Sequence, residues 1–366
     1  MSVLSAWYLN HIHRANDPEW ASRFTFLLKR IFALVVIAIV LALTSVTLWL
    51  AFTRSVYLVL AFCAILFVGI FLPYALATPL LYPRRVQPTL IPDALGLTRW
   101  ETVRFFSPDG VELKGWFIPP DPQSNGATLV LVHGLGANRT QLLGQAAMMI
   151  ARGYGALLFD LRNHGTSGGT VTTLGYTEAE DVIGAVNYLL TRVEIKPARI
   201  GLVGYSMGGA AVLHAATRLP NVKAIVVEST YTSLEDNITQ GIIAKTGLPP
   251  FPFAPIMIWF GEHITGLRIH QIRPIDDVAH LKQPILFIHG EQDKIVNVSN
   301  SQRLYAAANN PQGLYIVKNA GHAELQRADP LGFERYVLTF LERTLRAETL
   351  APLPMALALR QTSTTQ

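Results

Sequence analysis

The chain has 366 residues, which is enough for one catalytic core with additional segments. Half of the residues are hydrophobic and only 15% are charged, a composition that predicts that part of the chain lies in lipid. The net charge is +5 without a run of Lys and Arg interleaved with aromatic residues, which argues against a nucleic-acid partner, and the single cysteine excludes an intrachain disulfide.

Two long uncharged segments follow the mixed N-terminal segment 1–30, and only Arg54 interrupts them. Each segment is long enough to cross a bilayer as a helix, and the residues around Arg54 suffice only for a turn. The sequence therefore predicts a transmembrane helical hairpin over residues 31–81. Basic residues flank both outer ends of this hairpin: Lys29, Arg30, Arg84 and Arg85. By the positive-inside rule, both ends and the large domain that follows lie in the cytoplasm, with the hairpin in the cell membrane.

Two other interpretations of the apolar segments stay open. Ala75-Leu76-Ala77 resembles the cleavage site of a secretory signal, although both segments exceed the roughly 7–15 apolar residues of such a signal. The most apolar part of the second segment, 56–72, is at the short limit for a spanning helix, so a hairpin that lies in one leaflet is the other alternative. Both hairpin interpretations predict that the chain is bound to a membrane.

The organisation after the hairpin follows from proline content and periodicity. A proline-rich stretch predicts a linker over residues 82–97, and the globular domain is expected over 98–345. One of its helices is predicted to begin with a capping box formed by Thr177 and Glu180. The last residues, 346–366, are expected to form a loose tail, because the end of the chain lacks periodicity.

Strand and helix patterns alternate through the globular domain. The first two strands, 101–106 and 111–117, flank a Ser-Pro-Asp-Gly turn and predict an antiparallel hairpin. The other buried strands are predicted at 128–132, 156–159, 200–203, 224–227, 285–288 and 314–317. The alternation predicts an α/β fold in which helices cover both faces of an open, mostly parallel sheet.

The stretch Gly204-Tyr205-Ser206-Met207-Gly208 lies between a short aliphatic strand and an Ala-rich helix. A serine at so sharp a corner projects its hydroxyl above the sheet, and the two glycines remove Cβ atoms that would clash there. The helix N-terminus behind it presents backbone N–H groups to a developing negative charge. Gly-x-Ser-x-Gly also arises by chance in glycine-rich chains, but here the strand and the helix that the motif requires are both present. Ser206 is therefore the predicted nucleophile.

Ligands of such a sheet bind outside the carboxyl ends of its strands, so residues that follow strands are candidates for the site. A Gly-Leu-Gly turn after His133 lets a backbone N–H face the space above Ser206. The N–H groups of Leu135 and Met207 are the predicted oxyanion donors. His133 is interpreted as a structural residue of the turn, because a base beside the oxyanion donors would stand on the wrong side of the nucleophile.

Two further strand ends supply a carboxylate and an imidazole. Asp293 lies far enough along its loop for the side chain to turn back across the top of the sheet, whereas Glu291 is nearer the strand and is interpreted as a surface capping residue. His322 follows the last strand on a loop from which its ring can reach the serine. The remaining candidates are interpreted as loop or packing histidines: His164, His214 and His289.

The order Ser206, Asp293, His322 is the chain order expected of a triad on this kind of sheet. His322 would take the proton of Ser206 and return it to the leaving alcohol, thiol or amine, while Asp293 would hold the imidazole tautomer. The two N–H groups would hold the oxyanion, and losing one such donor costs ~3 kcal/mol of barrier. This chemistry needs neither a metal nor an organic cofactor, and none is predicted.

Five motifs together resemble those of the α/β-hydrolase superfamily: His133-Gly134-x-Gly136, Asp160–Ser167, Gly204–Gly209, His289–Asp293 and Gly321-His322. The resemblance covers the predicted globular domain and is greatest to the serine-aminopeptidase and monoacylglycerol-lipase-like branch and to membrane-tethered hydrolase-domain proteins. It implies the α/β-hydrolase fold and a Ser-His-Asp hydrolase. Asp160, Arg162 and Gly165 are expected to stabilise a loop beside the site.

An insertion of 55 residues separates Glu228 from Pro284 and departs from a simple crossover. It is predicted to form a helical cap over the site, spanning 229–283. Within it, residues 246–261 are uncharged and rich in proline and aromatic residues. One interpretation is that they form the buried underside of the cap. The other is an apolar entrance that faces acyl chains or the bilayer.

The sequence thus favours a membrane-anchored serine hydrolase that cleaves carboxylic esters, with lipid esters or acyl thioesters as favoured substrates. A peptidase or aminopeptidase of the same fold stays open, and an acidic group in the cap that binds a free amine would support it. A non-catalytic binding module tethered to the membrane is the third hypothesis. The expected partners are a small-molecule or lipid ester and a membrane, and no oligomeric state is predicted.

Overall fold

A computed structural model describes residues 18–53 and 56–346, which fall into two compact units, one up to Phe71 and one from Leu72 onward. The first unit holds the apolar helix α1 (Pro18–Thr53) and the first part of α2 (Val56–Leu81). Arg30–Leu50 of α1 and all of α2 are long and apolar enough to cross a membrane.

α1 begins at Pro18, ahead of the segment that the sequence assigned to the membrane from residue 31, and the part of α1 that is long and apolar enough to span begins at Arg30. The predicted turn at Arg54 lies outside the described residues, as do residues 1–17 and 347–366 of the two predicted terminal segments.

One sheet of eight strands organises the second unit, in the order β1-β2-β4-β3-β5-β6-β7-β8. β2 pairs antiparallel with both of its neighbours, and every other neighbouring pair is parallel. The strands are β1 (Glu101–Phe106), β2 (Glu112–Ile118), β3 (Thr128–Val132), β4 (Gly155–Asp160), β5 (Ile200–Tyr205), β6 (Val222–Glu228), β7 (Ile285–Gly290) and β8 (Pro311–Val317). The predicted mostly parallel sheet with its N-terminal antiparallel hairpin is confirmed.

Helices cover both faces of this sheet, as the alternating pattern predicted. The helices that follow α2 are α3 (Leu143–Ile150), α4 (Glu178–Leu190), α5 (Met207–Ala216), α6 (Leu234–Thr246), α7 (Pro250–Thr265), α8 (Pro274–His280), α9 (Ser299–Ala307), α10 (Leu325–Ala328) and α11 (Pro330–Leu341). The insertion between β6 and β7 contains α6, α7 and α8, so it is helical, as predicted.

The core consists of two layers because side chains alternate along each strand. Val130 and Val132 of β3 point into the layer that packs on α4 and α5. Leu129 and Leu131 of the same strand point into the layer that packs on α3 and α11. With both faces covered, every residue of β3 is buried, which explains why the strand is a continuous apolar run instead of an alternating one.

The last residues of α2 belong to the second unit and are fixed to its loops. Ala77 and Leu81 are buried in the core. The Leu81 carbonyl accepts hydrogen bonds from the N–H of Thr172 at 2.9 Å and from the Asn163 side-chain amide at 3.2 Å. The end of α2 is therefore a packed element of the second unit and not a free linker.

The predicted capping box at the start of α4 is wrong. The Thr177 side chain makes no capping bond and instead contacts the Thr173 hydroxyl at 2.7 Å. The Glu178 carboxylate accepts from the N–H groups of Thr173 and Gly175, each at 2.8 Å. The loop before α4 therefore uses the first acidic side chain of the helix, and Glu180 pairs with Arg218 instead of reaching back.

Candidate active site

Ser206 stands at the junction of β5 and α5 with φ 53° and ψ −117°, a conformation that disfavours a residue with a Cβ. Its N–H donates to the Glu228 carbonyl at 2.7 Å, which fixes the corner to β6. A Cβ at Gly204 would lie 2.6 Å from the Gly208 carbonyl oxygen, and a Cβ at Gly208 would meet the carbonyl oxygens at the end of β3. The two glycines are therefore required by close backbone packing.

The structure brings together the three side chains that the sequence selected as a triad. His322 Nε2 lies 3.0 Å from Ser206 Oγ, and His322 Nδ1 lies 2.6 Å from Asp293 Oδ2. Each side chain follows a different strand of the parallel part of the sheet: β5, β7 and β8. Because those strands are parallel, their carboxyl ends meet at one edge, and residues far apart in the chain become neighbours.

The carboxylate of Asp293 is buried and fully engaged. Oδ1 accepts from the N–H groups of Ile295 at 2.8 Å and Val296 at 2.9 Å, and Oδ2 lies 2.6 Å from His322 and 3.1 Å from His289. Burial raises the pKa of Asp293, but the hydrogen bonds from His289 and His322 outweigh it and hold the pKa well below its usual range. The lowered pKa favours the ionised form of Asp293, and a carboxylate beside Nδ1 favours the tautomer of His322 that carries its proton there and leaves Nε2 free to face the serine hydroxyl.

The two predicted oxyanion donors border the same space. A Cβ at Gly134 would lie 2.9 Å from the Tyr205 ring and 3.4 Å from Ser206 Cβ, so the turn that carries Leu135 lies directly against the nucleophile. The Leu135 N–H donates to no acceptor within the described residues. Met207 is the first residue of α5, where an N–H has no acceptor inside the helix.

Neighbouring loops hold this turn in place. The Gly134 N–H donates to the Gln141 side chain at 2.8 Å, and the Gly136 N–H donates to His164 Nε2 at 3.0 Å. His133 Nε2 accepts from the Leu161 N–H at 3.0 Å. Burial and the nearby ring of His164 lower the pKa of His133, so it stays neutral. His133 and His164 are thus structural acceptors that shape the turn, as expected for His133.

The Asp160–Ser167 motif forms the loop that supplies His164. Asp160 is buried, pairs with Arg139 at 2.6 Å and accepts from the Thr166 N–H at 2.8 Å. Burial raises the pKa of Asp160, but its bonds to Arg139 outweigh this effect and lower the pKa. These contacts stabilise a loop beside the site, the role that the resemblance implied.

The other candidates lie away from the nucleophile. The Glu291 carboxylate accepts from the Asn319 N–H at 3.1 Å on the surface. His214 Nδ1 contacts Asp277 at 3.2 Å, and its ring stacks on Tyr176 with centroids 5.1 Å apart. His289 is buried against Asp293, a contact that its interpretation as a packing residue did not include.

The sequence did not reveal two residues behind the triad, one that contacts His322 and one that contacts His289. The Tyr205 hydroxyl donates to the His322 carbonyl at 2.7 Å and ties the loop after β8 to the nucleophile corner. Ser301 in α9 contacts His289 Nδ1 at 2.6 Å. A signal for Tyr205 was its place inside the elbow motif. No sequence signal pointed to Ser301, because only the tertiary structure brings α9 next to His289.

A metal or cofactor site was not predicted, and among residues 18–53 and 56–346 no group of three or more His, Cys, Asp or Glu side chains could hold a metal ion.

Comparison with known proteins identifies the family. The alpha/beta hydrolase family model matches residues 129–334, more than half of the chain. The uncharacterized protein YqkD of Bacillus subtilis is 28% identical over 235 residues, which cover 64% of this chain and 76% of that protein. The alpha/beta hydrolase domain-containing protein WAV2 of Arabidopsis thaliana is 28% identical over 257 residues, covering 67% of this chain and 79% of its own length.

Solved structures agree with this assignment. The esterase Pf2001 of Pyrococcus furiosus has a TM-score of 0.60 at 26% identity, covering 73% of this chain and 98% of its own. The acylaminoacyl peptidase of Pyrococcus horikoshii has a TM-score of 0.54 at 21% identity, covering 70% of this chain and 44% of its own, which is a likeness of fold alone. The chain therefore belongs to the alpha/beta hydrolase family, and its esterase-like fold supports a hydrolase activity.

Proposed function

We propose that this protein is a membrane-anchored serine hydrolase that cleaves carboxylic esters through an acyl-enzyme. The observation that carries the proposal is the hydrogen-bonded chain from Ser206 Oγ through His322 to Asp293, with lengths of 3.0 and 2.6 Å. A serine hydroxyl is a weak nucleophile, and an imidazole within hydrogen-bond distance is what activates it.

In the first half of the reaction, His322 Nε2 accepts the hydroxyl proton while Ser206 Oγ forms a bond to the ester carbonyl carbon. The carbonyl oxygen becomes an oxyanion that the N–H groups of Leu135 and Met207 stabilise. As the tetrahedral intermediate collapses, the C–O bond to the leaving group breaks, and the imidazolium returns its proton to the departing alkoxide. The products of this half are an alcohol and an acyl group on Ser206.

The second half repeats these steps with water. His322 takes a proton from the water, the hydroxide attacks the acyl carbon, and Ser206 leaves with the proton that His322 returns. Asp293 stays ionised throughout and stabilises the imidazolium in both halves, which agrees with its lowered pKa. The acid product is released, and the serine is free for another substrate.

In this proposal residues 98–345 form the catalytic domain, and the insertion 229–283 within that domain forms the cap over the site. The cap segment 246–261 has no charged residue, and Phe251 and Trp259 are 70% and 38% exposed. Phe260 in the same helix lies against Tyr74 at the end of α2, with ring centroids 5.4 Å apart in an edge-to-face arrangement. The cap therefore offers apolar surface next to the end of an apolar helix, which supports lipid esters or acyl thioesters as substrates.

Membrane anchoring is part of the same proposal. Its support is the length and composition of the two N-terminal helices, and the basic residues at the outer ends favour a cytoplasmic catalytic domain at the cell membrane. An anchored enzyme meets membrane lipids without leaving the bilayer surface, which suits the apolar cap.

A substrate panel tests the proposal. The purified full chain in detergent is assayed on esters of increasing acyl length, a monoacylglycerol, an acyl thioester and aminoacyl amides, beside Ser206→Ala. We expect ester hydrolysis that Ser206→Ala lowers by about 10³-fold or more. If the wild type cleaves the aminoacyl amides but none of the esters, the protein is a peptidase and not an esterase. If the wild type and Ser206→Ala hydrolyse every substrate at equal rates, the proposal of a serine hydrolase is wrong.

A further inference from the structure

Asp293 is shared by two histidines. Oδ2 lies 2.6 Å from Nδ1 of His322 and 3.1 Å from Nε2 of His289. His289 Nε2 also lies 2.8 Å from the Val296 carbonyl oxygen, and His289 Nδ1 lies 2.6 Å from Ser301 Oγ. Both His289 and Ser301 are completely buried. A line of polar contacts therefore runs from α9 through β7 to the nucleophile.

The neighbours of His289 define its tautomer. Nε2 faces two oxygens that can only accept, the Val296 carbonyl and the Asp293 carboxylate, so Nε2 carries the proton. Nδ1 is then the acceptor, and the hydroxyl of Ser301 donates to it. His289 thus carries a proton on Nε2 beside Asp293, whereas His133 and His164 each accept a backbone N–H at Nε2.

We infer that His289, held by Ser301, is a positioning residue that directs the Asp293 carboxylate toward His322 and limits the negative charge that Oδ2 presents to the catalytic ring. The inference rests on the proposed function, because it assigns His322 the role of base. His289 itself is buried behind Asp293 and touches neither the serine nor the oxyanion space, so it acts only through the carboxylate.

The effect on pH dependence has a definite sign. Oδ2 divides its charge between two donors, and losing one of them leaves more charge for His322. The protonated ring is then better stabilised, and the base is lost to protonation at a higher pH. The acidic limb of the pH profile of kcat/KM should therefore move to higher pH. Asp293 loses a donor as well, but it starts far below this pH range and stays ionised.

Other groups around the base do not change in such a variant. His322 faces Asp293, the Ser206 hydroxyl and the ring of Tyr205, whose centroid is 5.2 Å from its own. Burial raises the pKa of Tyr205, with further contributions from Asp293 and Glu228, so the phenol keeps its proton. The Ser229 hydroxyl lies 3.4 Å from the His322 carbonyl and carries no charge.

The test compares His289→Leu with His289→Gln in the full chain. Leucine removes the donor, whereas the glutamine amide can place an N–H near the position of Nε2. We expect the acidic limb of kcat/KM to rise by about one pH unit in His289→Leu and to return toward the wild-type position in His289→Gln. His214→Leu is the matched control, a histidine paired with Asp277 away from the site, and should leave the limb unmoved.

A second measurement does not depend on activity or on the leucine variant folding. Histidine-ring ¹⁵N NMR of the wild type should show a ring that is protonated on Nε2 and whose signal disappears in His289→Gln. If Nε2 of that ring carries no proton, the inference is wrong. An unmoved acidic limb in a folded His289→Leu also overturns it. Failure of the proposed function would show itself separately, as hydrolysis that does not depend on Ser206.

Discussion

The backbone of Ser206 adopts a left-handed φ of 53°, which costs a residue with a Cβ about 1–3 kcal/mol. The corner persists because β5, β6 and α5 over-determine it: the Ser206 N–H is bound by the Glu228 carbonyl, and the Thr230 hydroxyl donates to the Ser206 carbonyl at 3.0 Å. The strain places the hydroxyl at the edge of the sheet, where His322 meets it. One residue is thus held in an unfavourable conformation by elements that gain their own stability from packing.

Glu228 is a buried acid beside this corner, and its burial makes the stability of the protein depend on pH. Its side chain is fully buried in the layer behind β6, where one oxygen accepts from the Gln145 amide at 2.9 Å. Burial raises the pKa of Glu228 to about 7. Between the ordinary pKa near 4.5 and this value, the unfolded chain releases a proton that the folded chain retains. Stability therefore falls as pH rises through that window and levels off above it.

Replacement of this acid should remove that pH dependence. We expect the wild type to lose about 2–3 kcal/mol of unfolding free energy between pH 5 and pH 8 relative to Glu228→Gln, measured by denaturant unfolding of the second unit in detergent. Glu235→Gln, at an exposed position in the first turn of α6, should leave the slope of the wild type unchanged. Parallel curves for wild type and Glu228→Gln would mean that the acid is already ionised in the folded state.

At the scale of elements, the positions of the completely buried strands could be predicted from the local sequence. β3, β5 and β7 are short apolar runs between turn residues, and a strand covered on both faces requires that pattern. The start of α4 departed from its prediction because the first acidic side chain binds backbone N–H groups of the preceding loop, a tertiary arrangement that spacing along the chain does not contain.

In the candidate site, too, some features follow from local sequence and others depend on tertiary contacts. Ser206, Asp293 and His322 follow strands, and strand ends meet at one edge whatever the details, so their proximity was predictable. The contact of His289 with Asp293 and that of Ser301 with His289 depend on how the loop after β7 folds back and where α9 lies against it. Periodicity carries no information on either point.

Under the proposed function, the cap helix α7 is the element that we expect to favour long-chain over short-chain esters. Phe251 and Trp259 are exposed, so replacing them by serine should not unfold the cap. We expect Phe251→Ser with Trp259→Ser to lower kcat/KM about 30-fold for long-chain esters, since two lost apolar contacts at about 1 kcal/mol each cost about 2 kcal/mol, and to leave short-chain esters unaffected.

Exposed aromatic residues elsewhere provide the control for this experiment. Phe106 at the end of β1 is also exposed, and Phe106→Ser should leave both kinds of ester unchanged. Equal losses on short and long esters in the cap variant would indicate that the segment is structural, the alternative that the sequence also allowed.

At the scale of the whole molecule, the boundary between the two units falls inside a helix. Hydropathy alone assigns all of α2 to the membrane, because its composition is uniformly apolar. The structure places its last residues in the second unit, since Ala77 and Leu81 are buried among core side chains. An apolar helix end that packs on protein has the same composition as one that packs on lipid, so sequence could not separate them.

Membrane anchoring is tested on the intact chain with a tag at its C-terminus. We expect the protein to stay with the membrane fraction after an alkaline wash, and the tag to be cleaved by protease only when the cytoplasmic face is exposed. A soluble product whose first residue is Thr78, directly after Ala75-Leu76-Ala77, would show instead that the apolar region is a cleaved signal.

The central claim is that Ser206 is a nucleophile because His322 and Asp293 activate it, and a covalent probe tests this most directly. Incubation of the full chain with a fluorophosphonate, followed by peptide mass spectrometry, should place one adduct on Ser206 and none on other serines. Labelling should be slowed by about 10³-fold in His322→Ala and be absent in Ser206→Ala. An unlabelled wild type, or an adduct on another residue, would contradict the account.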